Sequence, residues 1–132
     1  MNQSLVDPVF FFNDLGDLHD AKIDQITWSV AARTITLDVD DLNANFDGLP
    51  EYGGKKKASI TFCEVENILL NCDARKDDTQ RIYALEMLKK GDSGKYELMM
   101  RISPSGRLSF DCYSVKIADT GDTLSTFSGQ QR

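Results

Sequence analysis

The sequence predicts a mainly β domain, either an antiparallel sandwich of six or seven strands or a strongly curved sheet, with room for one short helix. Three observations predict it. Several segments alternate apolar and polar residues with a period of two, the pattern of a strand with one buried and one wet face. Short connections bearing Gly, Ser, Asp and Pro separate them. The strands also follow one another without the helical stretches that βαβ units require. A length of 132 residues suits one core. That core is assigned to residues 1–117, and residues 118–132 read as a polar tail in which Leu124 and Phe127 are the large apolar side chains.

In chain order, Phe10-Phe11-Phe12 reads as a plug that docks on the core from a short helix or turn. Residues 18–30 read as a strand whose apolar set changes parity. Ile23 lies on one face and Ile26, Trp28 and Val30 on the other, so a β-bulge is expected near Asp24 or Gln25, with Trp28 in the core. Residues 34–40 alternate cleanly, with Ile35, Leu37 and Val39 inward, and a tight hairpin through Ala31-Ala32-Arg33 joins them to the preceding strand. Residues 41–57 have neither period and form the longest loop. Ala58, Ile60 and Phe62 define another strand; a turn at 64–67 leads to a buried strand through Ile68-Leu69-Leu70. A charged connection spans residues 74–79. Residues 80–90 fit helix or strand, and strand is preferred because an antiparallel meander follows, with Ile82, Ala84, Glu86 and Leu88 on one side. The meander comprises strands at 96–102 and 107–117, joined by the turn Ser103-Pro104-Ser105-Gly106.

The formal net charge of −6 gives an average potential that repels phosphate backbones, so nucleic acid is not expected as a partner. Lys55-Lys56-Lys57 reads as a solvated strand entrance. The residues from Met1 to Pro8 lack the basic and apolar regions of a signal peptide, and no apolar run approaches the roughly 20 residues that span a bilayer. The three cysteines, Cys63, Cys72 and Cys112, have no metal-ligand spacing and read as reduced thiols. A cytoplasmic location without membrane partner or cofactor is the expectation.

His19 is the sole histidine. With Asp20 and the neighbouring Asp14, Asp17 and Asp24 it forms a polar group, but zinc sites draw mainly on several His and Cys ligands, so no metal is assigned. The reading preferred for His19 and Asp20 is a pair that hydrogen-bonds a neighbouring strand end or turn. Glu86, if buried, would need a basic partner or His19. Residues 41–48 place oxygen-bearing side chains at alternate positions as a calcium loop does, yet Phe46 stands where the sharp turn wants Gly and Glu51 arrives one residue early. No Walker, GxGxxG or Gly-x-Ser-x-Gly pattern occurs, and no catalytic residue is assigned.

The run Leu18-His19-Asp20-Ala21-Lys22-Ile23, followed by Ile26, Trp28 and the strand from Thr34 to Val39, resembles the opening of small bacterial β-rich domains of unknown function. In these a strand begins His-Asp-Ser/Ala-x-hydrophobic, and some members are grouped with immunity proteins of polymorphic toxin systems. The resemblance implies an all-β or α+β fold and, for some members, toxin neutralisation; it carries over no catalytic residue.

The residues favour binding over catalysis. The first expectation is a non-catalytic binding protein, an acidic immunity-type inhibitor, that presents Asp38, Asp40, Asp41 and Asp47 to a basic protein partner. The alternatives are a hydrolase or metal-dependent enzyme centred on His19, and a structural module in which an exposed sheet edge pairs two copies as a homodimer.

Overall fold

A computed structural model of the chain describes residues 2–73 and 79–119. Their elements, in order, are β1 (Asn2–Ser4), α1 (Pro8–Asp14), β2 (Ile23–Ser29), β3 (Thr34–Val39), β4 (Ala58–Cys63), β5 (Glu66–Cys72), β6 (Arg81–Lys90), β7 (Lys95–Ser103), β8 (Gly106–Cys112) and β9 (Ser114–Asp119). Short 3-10 turns occupy residues 16–18 and 44–46. The strands form two antiparallel sheets, one in the order β1-β9-β4-β3-β2 and one in the order β5-β8-β7-β6. This is the β-rich sandwich with one short helix that the alternation predicts.

Strand β3 carries the clearest signal: Ile35, Leu37 and Val39 point inward and are buried, while Thr34, Thr36 and Asp38 are half-buried on the outer face. Strand β4 repeats the pattern with Ala58, Ile60 and Phe62. Register aligns these apolar sets directly across the ladder, so each sheet turns a continuous hydrophobic face to the other. Helix α1 closes one end. Pro8 sits in its first turn, and the Asp7 carboxylate accepts the Phe10 amide at 3.0 Å, two features that start helices. Within the aromatic triplet helical geometry buries Phe12 and leaves Phe10 exposed. The Phe12 ring stacks on Phe62 of β4 at 6.2 Å between centroids, and Phe62 meets Phe110 of β8 edge-on at 5.0 Å, joining helix and both sheets.

Five expectations need correction. First, residues 18–22 precede β2 instead of extending it. Second, the stretch from Arg107 to Ile117 is two strands, because the chain leaves one sheet at Tyr113 and enters the other. The Tyr113 amide is satisfied there by the Cys63 carbonyl at 3.0 Å. With the short β1, this accounts for nine strands among the described residues where six or seven were expected. Third, Trp28 is 57% exposed although its register partner Ile35 is buried, since β2 is the edge of its sheet. Fourth, Leu69 and Leu70 on the edge strand β5 are exposed, not buried. Fifth, the inward residues of β6 are Ile82, Leu85 and Met87, because a bulge between Ile82 and Ala84 shifts the parity. The bulge expected in β2 is present between Ile23 and Gln25. The charged connection at 74–78 and the tail beyond Asp119 lie outside the described residues, while Ala118 and Asp119 end β9.

Candidate functional site

His19 stands in a contorted segment. Asp17, Leu18 and Asp20 have positive φ angles of 56°, 57° and 72°. A left-handed leucine costs about 1–2 kcal/mol, and here burial of the Leu18 side chain in the core offsets that cost. Gly16 at φ 67° opens the segment, and a Cβ there would collide with the side chain of Asn45. The segment is then laced to β6 by the Asp20 amide to Ile82 carbonyl bond at 2.8 Å and the Ile82 amide to Ala21 carbonyl bond at 2.9 Å.

The side chain of His19 completes this lacing. Its Nδ1 lies 2.8 Å from the carbonyl oxygen of Tyr83, so Nδ1 carries the proton and donates it. Tyr83 is the extra residue of the β6 bulge, whose backbone the ladder to β7 leaves without a partner position. Nε2 points toward Asp20, 3.5 Å from Oδ1, with the imidazole and carboxylate both substantially exposed. Arg81 Nη1 donates to the Asp20 carbonyl at 2.9 Å, fixing the same turn from the other side. Glu86 is exposed on β6, opposite Met99, and forms no ion pair or hydrogen bond with His19. Among the described residues no three His, Cys, Asp or Glu side chains converge as a metal ion requires.

The acidic residues of the β3–β4 connection separate into different roles. Asp41 is only 7% exposed and organises the loop: Oδ1 accepts the Asn43 amide at 2.9 Å and the Lys56 amide at 3.1 Å, while Oδ2 accepts the Tyr52 hydroxyl at 2.6 Å. Asn43 Nδ2 adds a bond to the Gly54 carbonyl at 2.8 Å. Asp40 accepts the Lys22 amide at 2.9 Å and so ties the end of β3 to the entrance of β2. Asp38 accepts the Ser59 hydroxyl on the outer face of the five-stranded sheet. Asp47 is exposed. Asp41, Asp47 and Asp40 nonetheless act together on Tyr52. Its hydroxyl is pushed up to about 12, chiefly by the hydrogen bond to Asp41, then by burial and by the fields of the three carboxylates. Asp38 stands apart from this group, among the hydroxyls of the sheet face.

Sequence reasoning passed over Tyr52 as the centre of the acidic group and passed over a basic site on the other sheet. Arg101 of β7 and Arg107 of β8 are direct cross-strand partners beside Tyr83. The signal was present, because a hairpin through Ser103-Pro104-Ser105-Gly106 brings together the residues flanking it.

No family model matches the chain, and no curated protein matches it. Among solved structures, the chain is similar to an uncharacterized protein from Neisseria gonorrhoeae. The superposition has 12% sequence identity and a TM-score of 0.48, and it covers 89% of this chain and 96% of that one.

Proposed function

We propose that this chain is a non-catalytic binding protein, an immunity-type inhibitor that captures a basic protein partner through the acidic loop between β3 and β4. One observation carries the reading: a loop clasped from within by Asp41 gathers three carboxylates about the Tyr52 hydroxyl. A loop already held in its bound shape loses little conformational freedom on association, and a local negative field accelerates encounter with a cationic surface. The three lysines at 55–57 offset part of the loop's charge, so recognition falls to the Tyr52 side, where Asp47 is exposed. Tyr52 supplies an aromatic contact there, and tyrosine is frequent among the residues that dominate binding. The use of His19 Nδ1 as a backbone latch also gives the histidine a structural task.

Affinity capture from a native-like lysate tests the proposal when the wild-type chain is compared with Asp47→Lys and Asp38→Asn. These two carboxylates are chosen because neither holds the loop together. Asp47→Lys should release a basic partner that the wild type retains, and Asp38→Asn should weaken it less. Equal retention by all three, or retention of nothing by the wild type, contradicts the proposal.

A further inference from the structure

The outer face of the four-stranded sheet holds a charge arrangement that the described residues do not balance. Arg101 and Arg107 are register partners and both are exposed. Among the described residues neither guanidinium makes an ion pair or a hydrogen bond. Like charges directly opposite each other on antiparallel strands repel and destabilise the pairing. Arg81, one strand further and opposite Ser103, has its Nη1 on the Asp20 carbonyl and no carboxylate in an ion pair. Asp17 and Glu86 lie along the adjoining part of the face with both arginines, yet neither pairs with them. In a chain of net charge −6, none of the described acidic groups neutralises the pair.

The two arginines form one wall of a depression of about 530 Å³. Asn71, Ser103 and Ser105 also line it, as does Tyr83, which is 59% exposed. The Tyr83 ring rests edge-on against His19 at 6.1 Å between centroids, so the latch that holds the bulge also orients the ring. Gly106 keeps the opposite side close. A Cβ at Gly106 would stand 3.0 Å from the Asn71 carbonyl, and the φ of 148° is one that L side chains rarely adopt, so glycine suits this close approach of the β7–β8 turn to β5.

We propose that this depression binds a small-molecule phosphate monoester with a planar organic portion. Two adjacent guanidiniums match the two charges of a phosphate dianion, and their planar forks suit bidentate contacts with its oxygens. A monocarboxylate would leave one of the charges unmatched. The exposed Tyr83 ring offers a face for the organic portion. An extended polyanion is disfavoured because Asp17 and Glu86 lie along the same face as the pair and the chain carries a net charge of −6. The site lies on the other sheet from the acidic loop and does not depend on the function proposed above.

Backbone amide spectra recorded during titration with phenyl phosphate, inorganic phosphate and phenol test the assignment. Phenyl phosphate should bind saturably, with the largest shifts at Tyr83, Arg101, Ser105 and Arg107. It should bind about tenfold more tightly than inorganic phosphate, the contribution of one aromatic contact. Tyr83→Leu should abolish that difference. The double substitution Arg101→Gln/Arg107→Gln should weaken phenyl phosphate by about a hundredfold or more, while its melting temperature in anion-free buffer is unchanged or higher. The proposal fails if there is no saturable response in the millimolar range, if phenol binds as well as phenyl phosphate, or if the double variant binds undiminished. A lower melting temperature for the double variant would also overturn it, because the arginines would then serve the fold.

Discussion

Replacing Asp41 removes the acceptor that three donors share. In Asp41→Ala the amides of Asn43 and Lys56 and the hydroxyl of Tyr52 lose their partner at once. Hydrogen bonds to a charged group contribute about 1.5–3 kcal/mol each, and a buried donor left unpaired costs about 1–3 kcal/mol. Water replaces the carboxylate at the half-buried Asn43 and Tyr52 but has little access to the amide of buried Lys56. The three bonds belong to one group, so their separate values do not add. A loss of about 3 kcal/mol follows, or roughly 10 °C in melting temperature for a domain of this size. Asp41→Asn keeps an Oδ1 acceptor for both amides and should cost about 1 kcal/mol. Tyr52→Phe removes one bond and should cost a similar amount. Urea unfolding of the four proteins measures these differences. If Asp41→Ala unfolds within about 0.5 kcal/mol of the wild type, the range of ordinary surface substitutions, Asp41 does not organise the loop.

Three further outcomes follow from the same geometry. His19→Ala should cost about 1 kcal/mol and speed amide exchange in β6 around Tyr83; equal exchange rates in the variant would contradict the latch. The Tyr52 hydroxyl is raised from 10.0 to about 12 in the folded state, so its stabilising contribution is complete below pH 10 and disappears as the pH climbs through about 12. Ultraviolet titration of wild type against Tyr52→Phe checks this. Burial pushes the Cys112 thiol up to about 12 and Cys72 is exposed, so a thiol reagent at pH 8 should label Cys72 in the native protein and reach Cys112 only on unfolding.

The parts of the fold legible in the sequence are those where one face is wet and the other dry along a whole strand. Strands β3 and β4 lie inside their sheet, so Ile35, Leu37, Ile60 and Phe62 show a plain period of two. The pattern misleads where the chain breaks that geometry. Tyr83 inserts one residue into β6 and reverses the side of everything after it, which is why Leu85 and Met87, not Ala84 and Leu88, are inward. The switch at Tyr113 appears in the sequence only as a change of parity, from Leu108, Phe110 and Cys112 to Val115 and Ile117, which a bulge within one strand would produce equally well. Edge position misled in another way: Trp28, Leu69 and Leu70 are apolar, but no further strand among the described residues flanks β2 or β5 on their outer sides.

The candidate sites were legible as residue types and not as groupings. The aspartates of the β3–β4 connection drew notice through their number, yet only the folded loop separates Asp41, which holds it, from exposed Asp47. His19 and Asp20 were notable as the sole imidazole beside a carboxylate. Their relation to Tyr83 depends on a contact across 64 positions of sequence. Arg101 and Arg107 carried no signal as single residues. Their meaning arises from the β7–β8 register, which sets them side by side.

The function proposed above is electrostatic capture of a basic partner by a loop already in its bound form. The association rate between the chain and its captured partner, measured across a series of salt concentrations, tests that claim most directly. The rate should fall steeply as salt screens the loop's field, with a lower rate and a flatter slope for Asp47→Lys. A rate indifferent to salt, and equal in wild type and variant, would contradict it.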